Sequence, residues 1–215
     1  MKFTDSEHWT RYKALMEQRP HLFKKSYYCS IITDPDKLDR FHAETGKPLG
    51  MVYHSPYNTF VADLVQDGPE GEPYVYDRLV PTNEGAVVAV PRCGSSYVLL
   101  RQFRHSIRRE QFAFPRGFGE PGISPADNAR KEIREELGAV CTSVEPLGII
   151  SADSGISSAD LHAFLCQVEQ VNITPGYEGI EDAVLLTEEE LKQWIREGRI
   201  DDSFTLACFA MLMSR

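Results

Sequence analysis

A series of short β-rich runs between residues 57 and 104 constrains the fold more than any other feature of the sequence. The runs are NTFVADLVQD, PYVYDRLVP, EGAVVAVPR and SSYVLLRQF, and glycine, proline or asparagine residues separate them. Alternation with a period of two, interrupted by such breakers, predicts consecutive antiparallel strands. A helix follows residue 124, and three more strand-like runs come after it: SVEPLGIIS, LHAFLCQVEQV and DAVLLT. Strands and helices grouped in this way predict the α+β class.

Helices are expected at both ends of the chain. Residues 5–18 have helical spacing of apolar residues, and residues 35–44, 188–197 and 203–213 are also predicted to form helices. Trp9, in the first of these, is interpreted as a packing residue in preference to a platform for a ligand. We expect residues 1–50 to form a helical N-terminal extension and residues 51–215 to form the main domain. Within that domain, we expect residues 51–82 to form a strand subdomain and residues 83–215 to form the core.

Charge and cysteine usage limit the classes of partner. The net charge of −9 argues against nucleic acid as the main partner, because proteins that bind phosphate backbones carry basic surfaces. Five scattered cysteines without CxxC spacing fit reduced thiols better than disulfides or a zinc site. No run approaches the roughly 20 apolar residues of a membrane span, and the N-terminus lacks an apolar leader. We therefore expect a cytoplasmic location and no membrane partner.

The helix after residue 124 carries an unusual group of acidic residues. Ser124 can cap it, and Gly138 can end it. Glu132, Glu135 and Glu136 lie on one arc, where like charges at helical spacing repel each other. Two interpretations remain open at this point. The arc is either a solvated surface or a site for Mg²⁺ or Mn²⁺, which prefer clustered carboxylate oxygens.

A glycine-rich loop directly precedes this helix and favours the metal site. It reads RGFGEPG, residues 116–122, and its glycines allow close approach of the backbone to a ligand. The N-terminus of the helix that follows favours anions. A phosphate and a cation would therefore meet at this point of the chain.

These segments together resemble the Nudix family. Its box, G-x5-E-x7-R-E-U-x-E-E-x-G-U with U a bulky apolar residue, is matched by Gly117 and by the run EIREELG at 132–138. The flanking segments RQFR (101–104), FPRG (114–117), DSGISSADLHAFL (153–165) and EGRIDD (197–202) resemble the ADP-ribose pyrophosphatase-like branch. The resemblance covers roughly residues 58–213.

The box is degenerate at several positions. Ile123 stands where the family has a glutamate, and Lys131 stands where it has the arginine that pairs with that glutamate. Lys131 is expected to reach Glu135 instead, four residues further along the helix. Ala113 and Ala159 are apolar where relatives often carry glutamate. These changes leave open the alternative that the chain is a catalytically degenerate module that binds a nucleotide or a protein partner.

The resemblance implies the Nudix fold, a mixed sheet sandwiched by helices, with an N-terminal antiparallel strand subdomain and a helical N-terminal extension. It also implies divalent-metal-dependent hydrolysis of the pyrophosphate bond in a nucleoside diphosphate derivative such as ADP-ribose or a nucleotide sugar. The products would be a nucleoside monophosphate and a sugar phosphate. Mg²⁺ or Mn²⁺ would be held by Glu132, Glu135, Glu136 and the carbonyl of Arg116, with Glu135 and Glu136 also counted as catalytic.

The resemblance further requires a general base from a loop after the box. Glu178 and Glu181 in the run GYEGIED are the two candidates in that loop, and Asp160 is a third. All three remain open from the sequence, because an acidic loop is often simply solvated.

Substrate contacts are also implied. Arg104 aligns with an arginine that contacts the diphosphate in similar enzymes, and guanidinium suits phosphate oxygens. Arg78 matches a similar strand-borne arginine and is also expected to bind substrate. Gly117 and Glu120 complete the expected substrate-binding set, with Glu120 equally suited to act as a base or a metal ligand. By the same resemblance the chain is expected to form a homodimer.

Overall fold

The computed structural model describes residues 2–215, and the chain divides into two compact units. The first unit ends at Thr82 and also takes in the short segment Asp153–Ala159. The second consists of Asn83–Ala152 and Asp160–Arg215. The expected extension up to residue 50 and the expected strand subdomain at 51–82 both fall in the first unit.

Helices in the first unit begin and end at the residues that their capping chemistry requires. The hydroxyl of Ser6 accepts a hydrogen bond from the backbone N–H of Trp9 and begins helix α1. Asp34 caps helix α2 in the same way, and Gly46 ends it with a left-handed backbone at φ 66°. The elements of this unit are α1 (Glu7–Gln18), β1 (Ser30–Ile31), α2 (Pro35–Thr45), β2 (Gly50–His54), β3 (Asn58–Gln66) and β4 (Tyr74–Pro81), with short 3-10 turns at Phe3–Asp5 and Pro20–Phe23.

Strand β3 is the centre of a four-stranded sheet in this unit. It pairs antiparallel with β1, β2 and β4. Trp9 is 5% exposed and packs in the apolar core beside Tyr12 and Leu15, which confirms its interpretation as a packing residue. Strands β1 and β2 were not predicted from the sequence.

A loop from far along the chain completes the outer edge of β4. The backbone N–H of Leu79 donates to the carbonyl of Ile156 at 2.7 Å, and the N–H of Ser158 donates to the carbonyl of Leu79 at 3.0 Å. The hydroxyl of Tyr76 donates to the carbonyl of Gly155 at 2.5 Å. The segment Asp153–Ala159 therefore belongs to the first unit through backbone bonds.

The second unit contains a seven-stranded sheet and three helices within the described residues. None of the helices that the structure describes along residues 2–215 has the length and apolar character to cross a membrane. The elements are β5 (Ala86–Cys93), β6 (Ser96–Arg104), β7 (Arg109–Ala113), β8 (Arg116–Gly117), α3 (Pro125–Leu137), β9 (Cys141–Ser151), β10 (Asp160–Val168), β11 (Ile180–Thr187), α4 (Glu188–Arg196) and α5 (Ser203–Met213), with a 3-10 turn at Tyr177–Gly179.

This sheet is mixed. Its order is β11-β6-β5-β10-β9, with β7 paired to β6 and β8 paired to β5. β10 runs parallel to β5, and the other pairs are antiparallel. The expectation of consecutive antiparallel strands holds for β3–β4 and β5–β6 but is wrong between β4 and β5. Pro81 ends β4, and Gly85 with φ 87° begins a new direction, so the chain passes from one sheet to the other.

Both faces of β5 are buried, as a sheet between helices requires. Val87 and Ala89 pack in one core cluster with Ala129 and Ile133 of α3. Val88 points to the opposite face because side chains alternate along a strand, and it is also fully buried. Helix α5 contacts β5 and β9. The expected α+β class with a mixed sheet between helices is confirmed.

Candidate active site

Helix α3 begins and ends where the sequence predicts. The hydroxyl of Ser124 accepts a hydrogen bond from the N–H of Asp127, and Gly138 ends the helix with φ 57°. Ala129, Ile133 and Leu137 are fully buried, so the apolar stripe faces the sheet. The acidic arc beside that stripe is therefore drawn toward the protein interior.

Glu132 and Glu136 are the two buried carboxylates of this arc. They are 9% and 3% exposed. Burial raises the pKa of Glu132 to about 7, with smaller contributions from the charges of Glu135 and Glu178. Burial also raises the pKa of Glu136 to about 8, and the charge of Glu132 adds to this effect. Both shifts have the same physical cause, because a carboxylate removed from water loses solvation that its surroundings do not replace.

The absence of a side chain at Gly117 leaves room for the carboxylate of Glu132. A β-carbon on Gly117 would lie 2.0 Å from the Oε1 atom of Glu132, far inside contact distance. Gly117 is on β8, paired with Val87 of the sheet, so its backbone has little freedom to move away. The first glycine of the box is therefore needed for the close approach of a carboxylate to the backbone.

Glu135 has a different environment from the other two glutamates. The Nζ atom of Lys131 lies 2.6 Å from Glu135, 3.0 Å from Glu120 and 3.9 Å from Glu132. Its hydrogen bond to Glu135 is the main cause that raises the pKa of Lys131. The expectation that Lys131 reaches Glu135 is confirmed. Glu120 supplies a second carboxylate, three residues before Ile123, where the family has its glutamate.

The four residues expected to bind metal are only partly brought together. The backbone N–H of Arg116 donates to Glu136 at 3.2 Å, and the charge of Glu132 raises the pKa of Glu136. Glu135 is turned to Lys131. Among residues 2–215, the side chains of histidine, cysteine, aspartate and glutamate form no group of three or more arranged to hold a metal ion.

The residues present nevertheless fit a hard divalent cation. Glu132 and Glu136 are buried carboxylates whose charged forms are disfavoured by lost solvation. A cation between them would restore the stabilisation that burial removes, and carboxylate oxygen is the donor that Mg²⁺ and Mn²⁺ prefer.

Arg104 is a cation whose charge acts on Glu136 and lowers the pKa of that carboxyl. Burial lowers the pKa of its guanidinium, and the charge of Arg116 adds to this, while Asp202, Glu136 and Glu178 oppose it. Its Nε atom is buried without a hydrogen-bond partner. A buried guanidinium donor without an acceptor is suited to an anionic ligand.

The three candidate bases have different surroundings. The charge of Glu178 acts on Glu132, Glu136 and Arg104. Glu181 lies at the irregularity where β11 pairs with β6, and its carboxylate is 3.3 Å from Arg101. Asp160 accepts a hydrogen bond from the hydroxyl of Ser151 at 2.8 Å. Of the three, Glu178 is the one coupled to the buried glutamates.

Two residues to which the sequence assigned no function contact the segment before the box. Asp202 caps helix α5 and accepts a hydrogen bond from Arg116 Nη1 at 2.9 Å. Thr205 is fully buried, donates to Asp202 at 2.8 Å and accepts from the N–H of Phe114 at 3.0 Å. The similarity of the run EGRIDD to relatives is the one signal in the sequence that points to Asp202.

Arg78 lies in the first unit, whereas the other expected site residues lie in the second. Its Nε atom is 2.9 Å from Asp63, and its Nη1 donates to the carbonyl of Leu22 at 2.8 Å. Asp63 is buried and also accepts a hydrogen bond from the hydroxyl of Tyr12. The guanidinium of Arg78 is therefore engaged in the core of its own unit.

Comparison with known proteins places the chain in a family. The model of the NUDIX domain matches residues 82–204, more than half of the chain. The ADP compounds hydrolase NudE of Escherichia coli (strain K12) is 34% identical over 64 residues, which are 30% of this chain and 34% of that protein. The match therefore spans about a third of the length of that relative.

Two further relatives extend the comparison. The methanol dehydrogenase activator of Bacillus methanolicus is 28% identical over 133 residues, 60% of this chain and 72% of that protein. A crystal structure of an ADP compounds hydrolase superposes with a TM-score of 0.67 at 19% identity, covering 78% of this chain and 95% of that one. At this identity the likeness is one of fold. The matched domain, the box residues and the shared fold together establish that the chain belongs to the Nudix family.

Proposed function

We propose that the chain is a divalent-metal-dependent pyrophosphohydrolase that cleaves ADP-ribose or a nucleotide sugar into a nucleoside monophosphate and a sugar phosphate. The observation that carries this proposal is the buried pair Glu132 and Glu136 beside the Gly117 loop. Burial raises the pKa of both carboxyl groups, and a bound cation would favour their charged forms. The names of the NudE relative and of the similar crystal structure support a hydrolase of ADP compounds.

We assign the role of each residue from the position of its side chain. Glu132 and Glu136 would hold the metal, with the carbonyl of Arg116 as a further ligand. When bound, Mg²⁺ or Mn²⁺ supplies positive charge to the diphosphate and lowers the pKa of a water molecule. Arg104 binds diphosphate oxygens through its buried guanidinium. Arg104 adds its positive charge to that of the cation, which favours an anionic substrate in a protein of net charge −9.

Glu178 is the general base in this proposal. It accepts a proton from the attacking water as the water oxygen bonds to one phosphorus atom. The bond from that phosphorus to the bridging oxygen breaks, and the departing phosphate keeps the bridging oxygen. Glu181 and Asp160 are less suited to this role because Arg101 and Ser151 engage their carboxylates.

The binding-only alternative is not favoured. Lys131 retains two carboxylate partners despite the changes at Ile123 and at its own position, so the altered box is internally paired. One relative is named as an activator of methanol dehydrogenase, and this name is the observation that favours the binding-only alternative. The homodimer and the cytoplasmic location stay predictions.

The test is hydrolysis of a panel of nucleoside diphosphate derivatives with Mg²⁺ or Mn²⁺. The panel contains ADP-ribose, NADH, ADP-glucose, GDP-mannose and diadenosine polyphosphates. Wild type is compared with Glu136→Gln and with the surface control Glu17→Gln. We expect turnover of an ADP-containing compound in wild type and control, and its loss in Glu136→Gln. Turnover unchanged in Glu136→Gln refutes the metal site, and no turnover of any compound contradicts the proposed activity.

A further inference from the structure

The backbone of Glu178 is in a conformation that needs support. Its φ of 47° and ψ of 29° lie in the left-handed region, which residues with a β-carbon rarely adopt. Gly176 and Gly179, on either side, also have positive φ values of 94° and 77°. The residues from 174 to 179 are exposed to solvent. Such a conformation persists only where neighbouring structure holds it in place.

The loop closes mainly on itself. The N–H of Gly176 donates to the carbonyl of Ile180 at 2.7 Å, and the N–H of Tyr177 donates to the carbonyl of Thr174 at 3.4 Å. These bonds fix the shape of the turn. They do not fix where the turn lies relative to the strand that carries Arg104.

Gln102 supplies that link from the middle of β6. It is 4% exposed, and its Nε2 donates to the carbonyl of Glu178 at 2.8 Å. Gln102 is also the backbone partner of Ile180, the first residue of β11. The side chain of a buried strand residue thus reaches directly to the residue with the left-handed backbone.

The other end of the same amide has no hydrogen-bond partner. Oε1 of Gln102 is buried and unpaired. The amide has a definite orientation, because the oxygen atom in place of Nε2 would face another carbonyl oxygen. A half-satisfied buried amide costs stability that an apolar side chain of similar shape would not. A polar side chain at this place therefore serves something other than stability.

We propose that Gln102 is a positioning residue that holds the backbone of Glu178, so that the Glu178 carboxylate faces the buried glutamates and Arg104. This inference rests on the proposed function, because it takes Glu178 to be the general base. Gln102 does not touch the reacting atoms. It acts through Glu178, and its unpaired oxygen is the cost of keeping an N–H at this position.

The experiment compares Gln102→Met with Gln111→Met. Gln111 is the register partner of Gln102 on β7, and its Nε2 donates to Asp201 instead of to the loop. Hydrogen exchange of amides 174–181 is measured in EDTA without substrate, together with the melting temperature. We expect faster exchange in Gln102→Met only, with a melting temperature equal to or above that of wild type. Unchanged exchange overturns the proposal.

Kinetics then separate positioning from general support. We expect Gln102→Met to lower kcat about tenfold or more while KM changes less than about twofold, because the substrate contacts remain. In a Glu178→Gln background the same substitution should lower kcat by less than about twofold, since both changes act through one group. Additive losses in the double variant overturn the proposal. Failure of the base assignment is distinct, because it appears as wild-type turnover in Glu178→Gln alone.

Discussion

The backbone N–H of Arg116 donates a hydrogen bond to the carboxylate of Glu136 at 3.2 Å. Arg116 precedes the box glycine, and Glu136 is in the last turn of α3, so this bond joins the two ends of the box. The guanidinium of Arg116 is in turn held by Asp202 at the start of α5. The position of a buried glutamate therefore depends on a helix that lies outside the box.

The first prediction concerns divalent cations and stability. Mg²⁺ or Mn²⁺ at about a hundredfold excess over Kd should raise the melting temperature by about 5 to 10 °C, because a ligand that binds only the folded state stabilises it. Glu136→Gln should abolish this rise, and the exposed Glu17→Gln should keep it. Differential scanning fluorimetry measures all three proteins. A rise of the same size in Glu136→Gln would show that the cation binds elsewhere.

The second prediction concerns pH in the absence of metal. Burial raises the pKa of Glu136 from its ordinary value of 4.5 to about 8 in the folded protein. The folded state therefore binds more protons than the unfolded state between these values, and its stability falls as pH rises through that window. At pH 8 Glu136→Gln should be more stable than wild type by on the order of 4 kcal/mol. Below pH 4.5 the difference should vanish.

Urea unfolding in EDTA at a series of pH values checks this prediction. The difference between wild type and Glu136→Gln isolates the glutamate from groups whose pKa values shift in the opposite direction, such as Asp201. A difference that stays constant from pH 4.5 to 8 would contradict the assigned burial.

The third prediction distinguishes two glycines of the same loop. A β-carbon at Gly117 meets the end of the Glu132 side chain, whereas one at Gly119 lies 1.7 Å from the backbone oxygen of Glu84. Gly117→Ala should lose most of the stabilisation by Mn²⁺ and keep a melting temperature close to that of wild type. Gly119→Ala should lose about 1 to 3 kcal/mol of unfolding free energy, because backbone has to move.

Chemical unfolding with and without Mn²⁺ measures both effects. If Gly117→Ala kept the full stabilisation by Mn²⁺, the assignment of Glu132 as a metal ligand would be wrong. If Gly117→Ala and Gly119→Ala lost equal amounts of unfolding free energy, the predicted difference between a side-chain contact and a backbone contact would be wrong.

The fourth prediction concerns Thr205. Thr205→Val preserves shape but removes the acceptor of the Phe114 N–H, and an unsatisfied buried donor costs about 1 to 3 kcal/mol. We also expect lower kcat, because the segment that holds Glu136 is loosened. Thr142→Val, at an exposed position on β9, is the control. Urea unfolding and the rate of substrate hydrolysis are measured together. An unfolding free energy and a kcat unchanged in Thr205→Val would show that the contact of Phe114 with α5 does not support the site.

Local signals in the sequence were sufficient to place helix α3 and its buried glutamates. The hydroxyl of Ser124 and the glycine at 138 define the ends of that helix through chemistry that involves only neighbouring residues. The apolar stripe fixes its rotation, and rotation decides that Glu132 and Glu136 are buried. The resemblance to the Nudix family added the chemistry and is confirmed by the matched domain.

Contacts between distant segments were beyond the reach of those signals. The pairing of Lys131 with Glu120 joins residues eleven positions apart through a loop whose course no periodicity describes. The bonds from Asp202 and Gln102 cross between separate elements. The parallel pairing of β10 with β5 likewise depends on how the sheet assembles.

The loop Asp153–Ala159 gives the first unit an unusual dependence on the order of synthesis. A ribosome releases β4 long before it makes residues 156–158, which bond to the free side of Leu79. The entire stretch Asn83–Ala152 emerges in between. During that interval the nascent chain presents a bare strand edge, which is a template for pairing with other chains. Translation speed across this stretch should therefore influence the yield of folded protein.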